Sequence, residues 1–347
     1  MMADIISFTG KGLLLALKIK RVLGEEGPVY TKFSEIDKRE LPERVVYVEE
    51  KLGDWTNERF ENHTPIVFIG ACGIAVRTIA PYVRDKFSDI PVIVLDENGK
   101  FCIPLLSAHI GGAKKLAETI AEKIGAVPVI TTATDVNDLF AVDVFAAEND
   151  LLILNREGVK KVSSKILAAG EVTMRLDGGK VKGRVPDEVK ITKKKKADII
   201  ISPRELEEGS CLLQLVPKAV YAGIGCRKDK PEADIRKMFY DVLEQNGIER
   251  GAVAGAATID IKEHEPGLRQ FVRAEELSFQ TFPAEVLKEV QGEFSVSDFV
   301  SKTVGVDNVC ERAAAAACGK NYRLLVPKNA GNGVTAAFAV KDWSVRF

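Results

Sequence analysis

Ser107 and His109 stand two residues apart in Leu105-Leu-Ser-Ala-His-Ile-Gly-Gly-Ala113, where a short aliphatic strand gives way to two glycines and a helix. An imidazole exchanges protons near neutral pH and a hydroxyl can donate one, so the pair suits acid–base work on a ligand. The bare backbone of Gly111 and Gly112 would let such a ligand approach closely. His109 is one of three histidines in the chain, with His63 and His264. A lone Ser-x-His fits a tight turn with a structural hydrogen bond equally well, so its surroundings must decide. Thr131-Thr-Ala-Thr-Asp135 puts hydroxyls and an acid at another strand end. Thr134 or Asp135 could cap a helix starting near Val136, and Asp135 could instead orient an imidazole or a water molecule.

Basic side chains recur beside glycine-containing turns. Arg77 follows Gly70-Ala-Cys-Gly73, Lys114 and Lys115 follow Gly111-Gly112, and Arg227 with Lys228 follows Gly223-Ile-Gly-Cys226. Amides and helix dipoles at strand-to-helix turns hold anions, and arginine clamps a carboxylate through parallel hydrogen bonds. The recurrence predicts a ligand with several carboxylates, contacted by Gly73, Arg77, Gly111, Gly112, Lys114, Thr134, Gly225, Arg227 and Lys228. Lys262-Glu263-His264-Glu265 gathers four ionisable groups before Pro266-Gly267, either as an exposed polar loop or as a further contact through Lys262 and Glu263. Gly10-Lys-Gly12 and Gly223-Ile-Gly225 each lack the third glycine of a dinucleotide fingerprint, and the chain has no Walker lysine motif, which disfavours a nucleotide cofactor.

The elements presenting these residues read as α/β. A length of 347 residues predicts two or three domains. We divide the chain into an N-terminal α/β domain (1–140), a smaller α+β middle domain (141–216) and a C-terminal α/β domain (217–347), the outer two with largely parallel or mixed sheets. In the first, strands Ile5–Phe8, Ile66–Gly70, Pro91–Leu95, Phe101–Leu106 and Val127–Thr131 alternate with helices such as Leu13–Leu23 and Ala113–Ile124, and Gly10–Gly12 reads as a turn. The middle reads as short strands and Gly-rich turns, with Lys193–Lys196 a solvated loop. The last carries strands Ala219–Gly223, Gly255–Ile261, Ser278–Phe282, Arg323–Val326 and Val334–Val340, with helices Glu232–Asn246, Leu268–Leu277 and Val309–Cys318.

Composition narrows the function. Hydrophobic residues make up 46% and charged residues 29%, as in a globular protein, and a net charge of −1 argues against nucleic acid as a partner. The six cysteines form no Cys-x-x-Cys pair, so neither a disulfide framework nor a zinc site is predicted. No apolar run approaches a membrane span and no secretory pattern is evident, so we expect a cytoplasmic protein without a membrane partner.

Taken in order, six segments resemble the cobalt-precorrin-5A hydrolase family of anaerobic cobalamin biosynthesis. Phe68-Ile-Gly-Ala-Cys-Gly-Ile-Ala-Val-Arg77, Leu105–Ala113 and Ile130-Thr-Thr-Ala-Thr-Asp135 are similar to its N-terminal domain. Tyr221-Ala-Gly-Ile-Gly-Cys-Arg-Lys228, Ala257–Leu268 and Leu325-Val-Pro-Lys328 are similar to its C-terminal domain. The chain departs from the family pattern at Ala108, where glycine is usual, and at Lys114, where asparagine is usual. The resemblance implies a cobalt-bearing corrinoid tetrapyrrole substrate rimmed with carboxylates, with neighbouring pathway enzymes as partners. It implies opening of a δ-lactone and release of a two-carbon fragment as acetaldehyde. Cobalt then arrives within the substrate, and no protein metal site or other cofactor is expected. Set beside this chemistry, His109 is a candidate base, Asp135 its orienting group, and Ser107 or nearby amides candidate donors to the oxyanion. A non-catalytic carrier of cobalt-corrinoid intermediates would use the same turns but would give Ser107 and His109 no chemical duty.

Overall fold

Ile66-Val-Phe-Ile69 and Val92-Ile-Val-Leu95 are buried along their whole length, as strands covered on both faces by helices must be. They centre the sheet of the first of two compact units, Met1–Leu139 and Phe140–Phe347. The computed structural model describes residues 2–85, 88–108, 111–137, 139–295 and 308–347.

The first unit runs β1 (Asp4–Ser7), α1 (Gly10–Leu23), β2 (Val29–Thr31), β3 (Val45–Tyr47), α2 (Leu52–Glu61), β4 (Ile66–Ile69), α3 (Cys72–Ile79), β5 (Val92–Leu95), β6 (Phe101–Leu106), α4 (Ala113–Ile124), β7 (Val127–Pro128) and α5 (Ala133–Val136). Its seven-stranded sheet has the order β3-β2-β1-β4-β5-β6-β7. The first five of these strands are parallel, and β6 is antiparallel to β5. The order reverses between β1 and β4, as in doubly wound sheets. Gly10–Gly12 is not a turn but the first turn of α1, fixed by the Thr9 hydroxyl accepting from the Gly12 amide. Thr134 and Asp135 lie within α5, whose N-cap residue is Thr132. Neither is a cap.

The second unit runs α6 (Val142–Glu148), β8 (Leu151–Ile153), α7 (Arg156–Ala169), β9 (Val172–Leu176), β10 (Lys180–Lys182), β11 (Val189–Ile191), β12 (Ile199–Ile201), β13 (Leu213–Pro217), β14 (Val220–Cys226), α8 (Glu232–Gln245), β15 (Val253–Ile259), α9 (Pro266–Ala274), β16 (Ser278–Phe282), α10 (Ala284–Glu289), α11 (Val309–Cys318), β17 (Tyr322–Gly331), β18 (Val334–Lys341) and β19 (Ser344–Arg346). One five-stranded sheet has the order β11-β9-β12-β13-β8 and a second the order β16-β15-β14-β18-β17. The stretch read as strands and turns contains a 14-residue helix, α7, whose buried Val159, Val162 and Ile166 recur at helical spacing. The last strand is β19, which pairs with β10. The Lys193–Lys196 run is exposed, as expected of a solvated loop.

Candidate functional site

Strand direction decides which residues of the first unit can meet. Ile69, at the end of β4, pairs with Leu95, whereas Leu106, at the end of the antiparallel β6, pairs with Val92. The turn holding Gly73 therefore leaves one edge of the sheet and the turn holding Ser107 leaves the opposite edge, about 10 Å of strand away. Arg77 goes with Gly73: its exposed guanidinium folds back so that a Cβ added at Gly73 would lie 3.3 Å from Nη2. A single clamp made of both turns is thus not formed within this unit.

The other candidates of this unit gather at the Ser107 edge. Ser107 is buried with φ 55°, and its Oγ donates to the Asp89 carbonyl at 2.6 Å. That bond occupies the proton that an oxyanion would need. The amides of Ala113 and Lys114 donate to the Ser107 and Ala108 carbonyls, so the start of α4 is tied to its own turn. Gly111 is required by this closure, since a Cβ there would sit 2.6 Å from that of Ser107, and Gly112 takes the left-handed φ of 82°. Lys114 and Asp135 form an ion pair at 2.6 Å, with side-chain exposures of 33% and 11%, which engages both the expected clamp and the expected orienting acid. The Thr134 hydroxyl beside them is buried without a hydrogen-bond partner among the described residues. His109 lies outside the described residues.

The second unit holds a pocket of about 710 Å³ where β14 and β15 end, α11 begins and β17 turns into β18. Cavities of this size take substantial small molecules. Gly225, Arg227, Lys228 and Lys262 all line it. Gly225 does not mark a strand-to-helix turn, however. Gly223 and Gly225 belong to β14 and are glycine because neighbours press on the strand. A Cβ on Gly223 would meet the Cys310 carbonyl oxygen, and one on Gly225 would lie 2.6 Å from Thr335 Oγ1.

The cations of the pocket differ in availability. Lys262 is tied to Glu265 at 2.8 Å and is half-buried. Burial raises the Glu265 pKa, but hydrogen bonds from Lys262 and from the Asp229 and Lys230 amides, with the Lys262 charge, hold it below the ordinary range. Arg227 and Lys228 are exposed and, with the Lys328 ammonium, form no ion pair among the described residues. Glu263 is exposed and outside the pocket wall, so it does not share the setting of Lys262. Burial pushes the Cys226 thiol up, and pushes Cys310 up to about 11. Both pocket cysteines are therefore neutral at physiological pH, which removes the thiolate needed for nucleophilic catalysis.

Sequence reading assigned no role to several pocket residues, among them Thr258, Asn308, Cys310 and Lys328. Lys328 stood in a recognised segment, and Asn308 ahead of an alanine-rich helix is an N-cap signal. Thr258 stood in the recognised segment Ala257–Leu268 and Cys310 in the expected helix Val309–Cys318, but nothing local gave either a place in a pocket, because that depends on how α11 packs on β14 and β15. Among the described residues, no group of three or more His, Cys, Asp or Glu could hold a metal ion, and no helix is long and apolar enough to cross a membrane.

Residues 54–135 match the family described as Cobalamin synthesis G N-terminal, and residues 220–339 match Cobalamin synthesis G C-terminus. The matched regions include both clusters described above. A Salmonella typhimurium protein named cobalt-precorrin-5A hydrolase is 39% identical over 269 residues, covering 74% of this chain and 77% of its own. A Priestia megaterium protein of the same name is 28% identical over 97% of this chain and 94% of its own. Among solved structures, CobE, a protein from the cobalamin (vitamin B12) biosynthetic pathway, is 28% identical over 35% of this chain and 89% of its own, with a TM-score of 0.33. With both halves matched in order and a relative of this identity over most of its length, the chain belongs to the cobalt-precorrin-5A hydrolase family.

Proposed function

We infer that this protein is a cobalt-precorrin-5A hydrolase, which opens the δ-lactone of its substrate and releases acetaldehyde. The observation that carries the reading at the site is the pocket at the ends of β14 and β15, with Arg227, Lys228 and Lys328 at its wall and no carboxylate paired to them among the described residues. Such cations suit the acid side arms of a macrocycle. Cobalt enters as part of the substrate, and the groups assigned below act without a protein metal.

In this reading His109 removes a proton from the attacking water. The lactone carbonyl becomes a tetrahedral oxyanion, which expels the ring oxygen; that oxygen takes the proton back from His109, leaving a carboxylate and an alcohol. The alcohol then gives up its hydroxyl proton and collapses to acetaldehyde as the adjoining carbon–carbon bond breaks, and the electron pair passes into the conjugated macrocycle, which takes up one proton in its place. Because Ser107 already donates to Asp89, the unpartnered Thr134 hydroxyl takes the place of oxyanion donor. Asp135 holds Lys114, whose charge favours the developing anion.

Anaerobic incubation with purified cobalt-precorrin-5A, with acetaldehyde read through alcohol dehydrogenase and NADH, tests the reading. Many equivalents of aldehyde per protein are expected. Stoichiometric binding of the macrocycle with no aldehyde would identify a carrier instead.

A further inference from the structure

One polar group in the pocket has no structural use. Thr258, near the end of β15, is wholly buried in the pocket wall, and its hydroxyl has no hydrogen-bond partner among the described residues. A buried hydroxyl without a partner destabilises the fold, and valine would fill the same β-branched space without that cost. In the pocket wall it is a donor that a bound acceptor would satisfy.

The start of α11 faces the same pocket. This helix of ten residues is capped by Asn308, whose side chain accepts from the Glu311 amide at 3.0 Å. The cap leaves the amides of Val309 and Cys310, both residues of the pocket lining, at the positive end of the helix dipole. Glu311 does not compete for them. Its carboxylate accepts from the Ser295 hydroxyl and amide and from the Lys328 amide, and the residue is not part of the lining. Lys328 lines the pocket and brings a positive charge. Gly223 lets α11 sit directly on β14, so the helix end is held at the pocket by backbone packing.

We propose that the Thr258 hydroxyl, the first amides of α11 and Lys328 form a subsite for one carboxylate side arm of the macrocycle. The proposal rests on the corrinoid reading above and gives roles to residues to which the sequence motifs assigned none. The hydroxyl and the two amides donate to the carboxylate, and Lys328 balances its charge. The exposed Arg227 and Lys228 meet other arms, so this subsite fixes which arm enters first and hence how the ring is turned.

The test uses the full chain and two probes: cobyrinic acid, which has free carboxylates, and its heptamethyl ester. Titration calorimetry on the wild type and Thr258→Val should show affinity for the acid falling about tenfold or more, with affinity for the ester unchanged. Thermal unfolding without ligand should show the opposite effect, Thr258→Val melting about 2–4 °C higher because an unsatisfied buried group is gone. Thr258→Ser, which keeps the hydroxyl, should bind the acid like the wild type. Unchanged acid binding by Thr258→Val, equal weakening of acid and ester, or no binding of the acid by the wild type would each overturn the subsite. Acetaldehyde release is a separate readout, so the hydrolase reading stands or falls independently of these titrations.

Discussion

His109→Ala should lower the rate of acetaldehyde release at saturating substrate by about 10²–10⁴-fold, the usual range for loss of a general base. Corrinoid affinity should change little, since the carboxylate-binding groups assigned here are elsewhere in the sequence. The expectation rests on where the neighbouring residues are held. Ser107 takes a left-handed φ of 55° and is anchored to the Asp89 carbonyl, while the amides of Ala113 and Lys114 return to the Ser107 and Ala108 carbonyls. These bonds fix Ser107 and the start of α4, the described residues on either side of positions 109 and 110. The Lys114–Asp135 pair and the unpartnered Thr134 hydroxyl stand at the same sheet edge. Steady-state kinetics separates the outcomes: unchanged kcat removes His109 from the chemistry, and a raised KM with normal kcat makes it a substrate contact.

Gly223→Ala should be the most damaging small substitution in the second unit. The added methyl would lie on the Cys310 carbonyl oxygen and 2.7 Å from the Ala314 amide nitrogen. Neither contact can be relieved by a side-chain rotation, because both partners are backbone atoms of α11. The helix must lift from β14, opening the packing of Ala313 and Ala314, which are fully buried. Overpacking of this kind costs roughly 3 kcal/mol or more. For a unit of this size that corresponds to a melting temperature lower by roughly 6–12 °C. Because α11 also forms the pocket wall, corrinoid binding should fall with stability. An alanine variant melting within about 2 °C of the wild type would contradict the close helix–strand contact.

Much of this architecture was legible because periodicity and termini are local. The aliphatic runs of β4 and β5 and the span of α4 follow from patterns a few residues long. Two kinds of error arose where tertiary contact decided the outcome. Gly223 and Gly225 looked like a turn, yet they lie in a strand against which a helix and Thr335 press, a cause more than a hundred residues away for Thr335. The turns at Gly73 and Ser107 looked equivalent, yet the antiparallel direction of β6 sends them to opposite sheet edges. Cations told a similar story. Arg227 and Lys228 are exposed as the charge pattern implied, whereas Lys262 and Lys114 are held by Glu265 and Asp135. Such pairing depends on three-dimensional proximity and left no sign in spacing. The helix α7 was missed for a different reason. Its apolar spacing was present, but the surrounding Gly-rich turns and lysines obscured it.

The central claim is that the pocket of the second unit receives the corrinoid. Amide hydrogen exchange of the full chain, free and saturated with cobyrinic acid, tests it most directly. Exchange should slow in residues 225–228, 258–262, 308–310 and 328–335, the segments that form the pocket wall. Protection confined to other segments, with these four exchanging as in the free protein, would contradict the account.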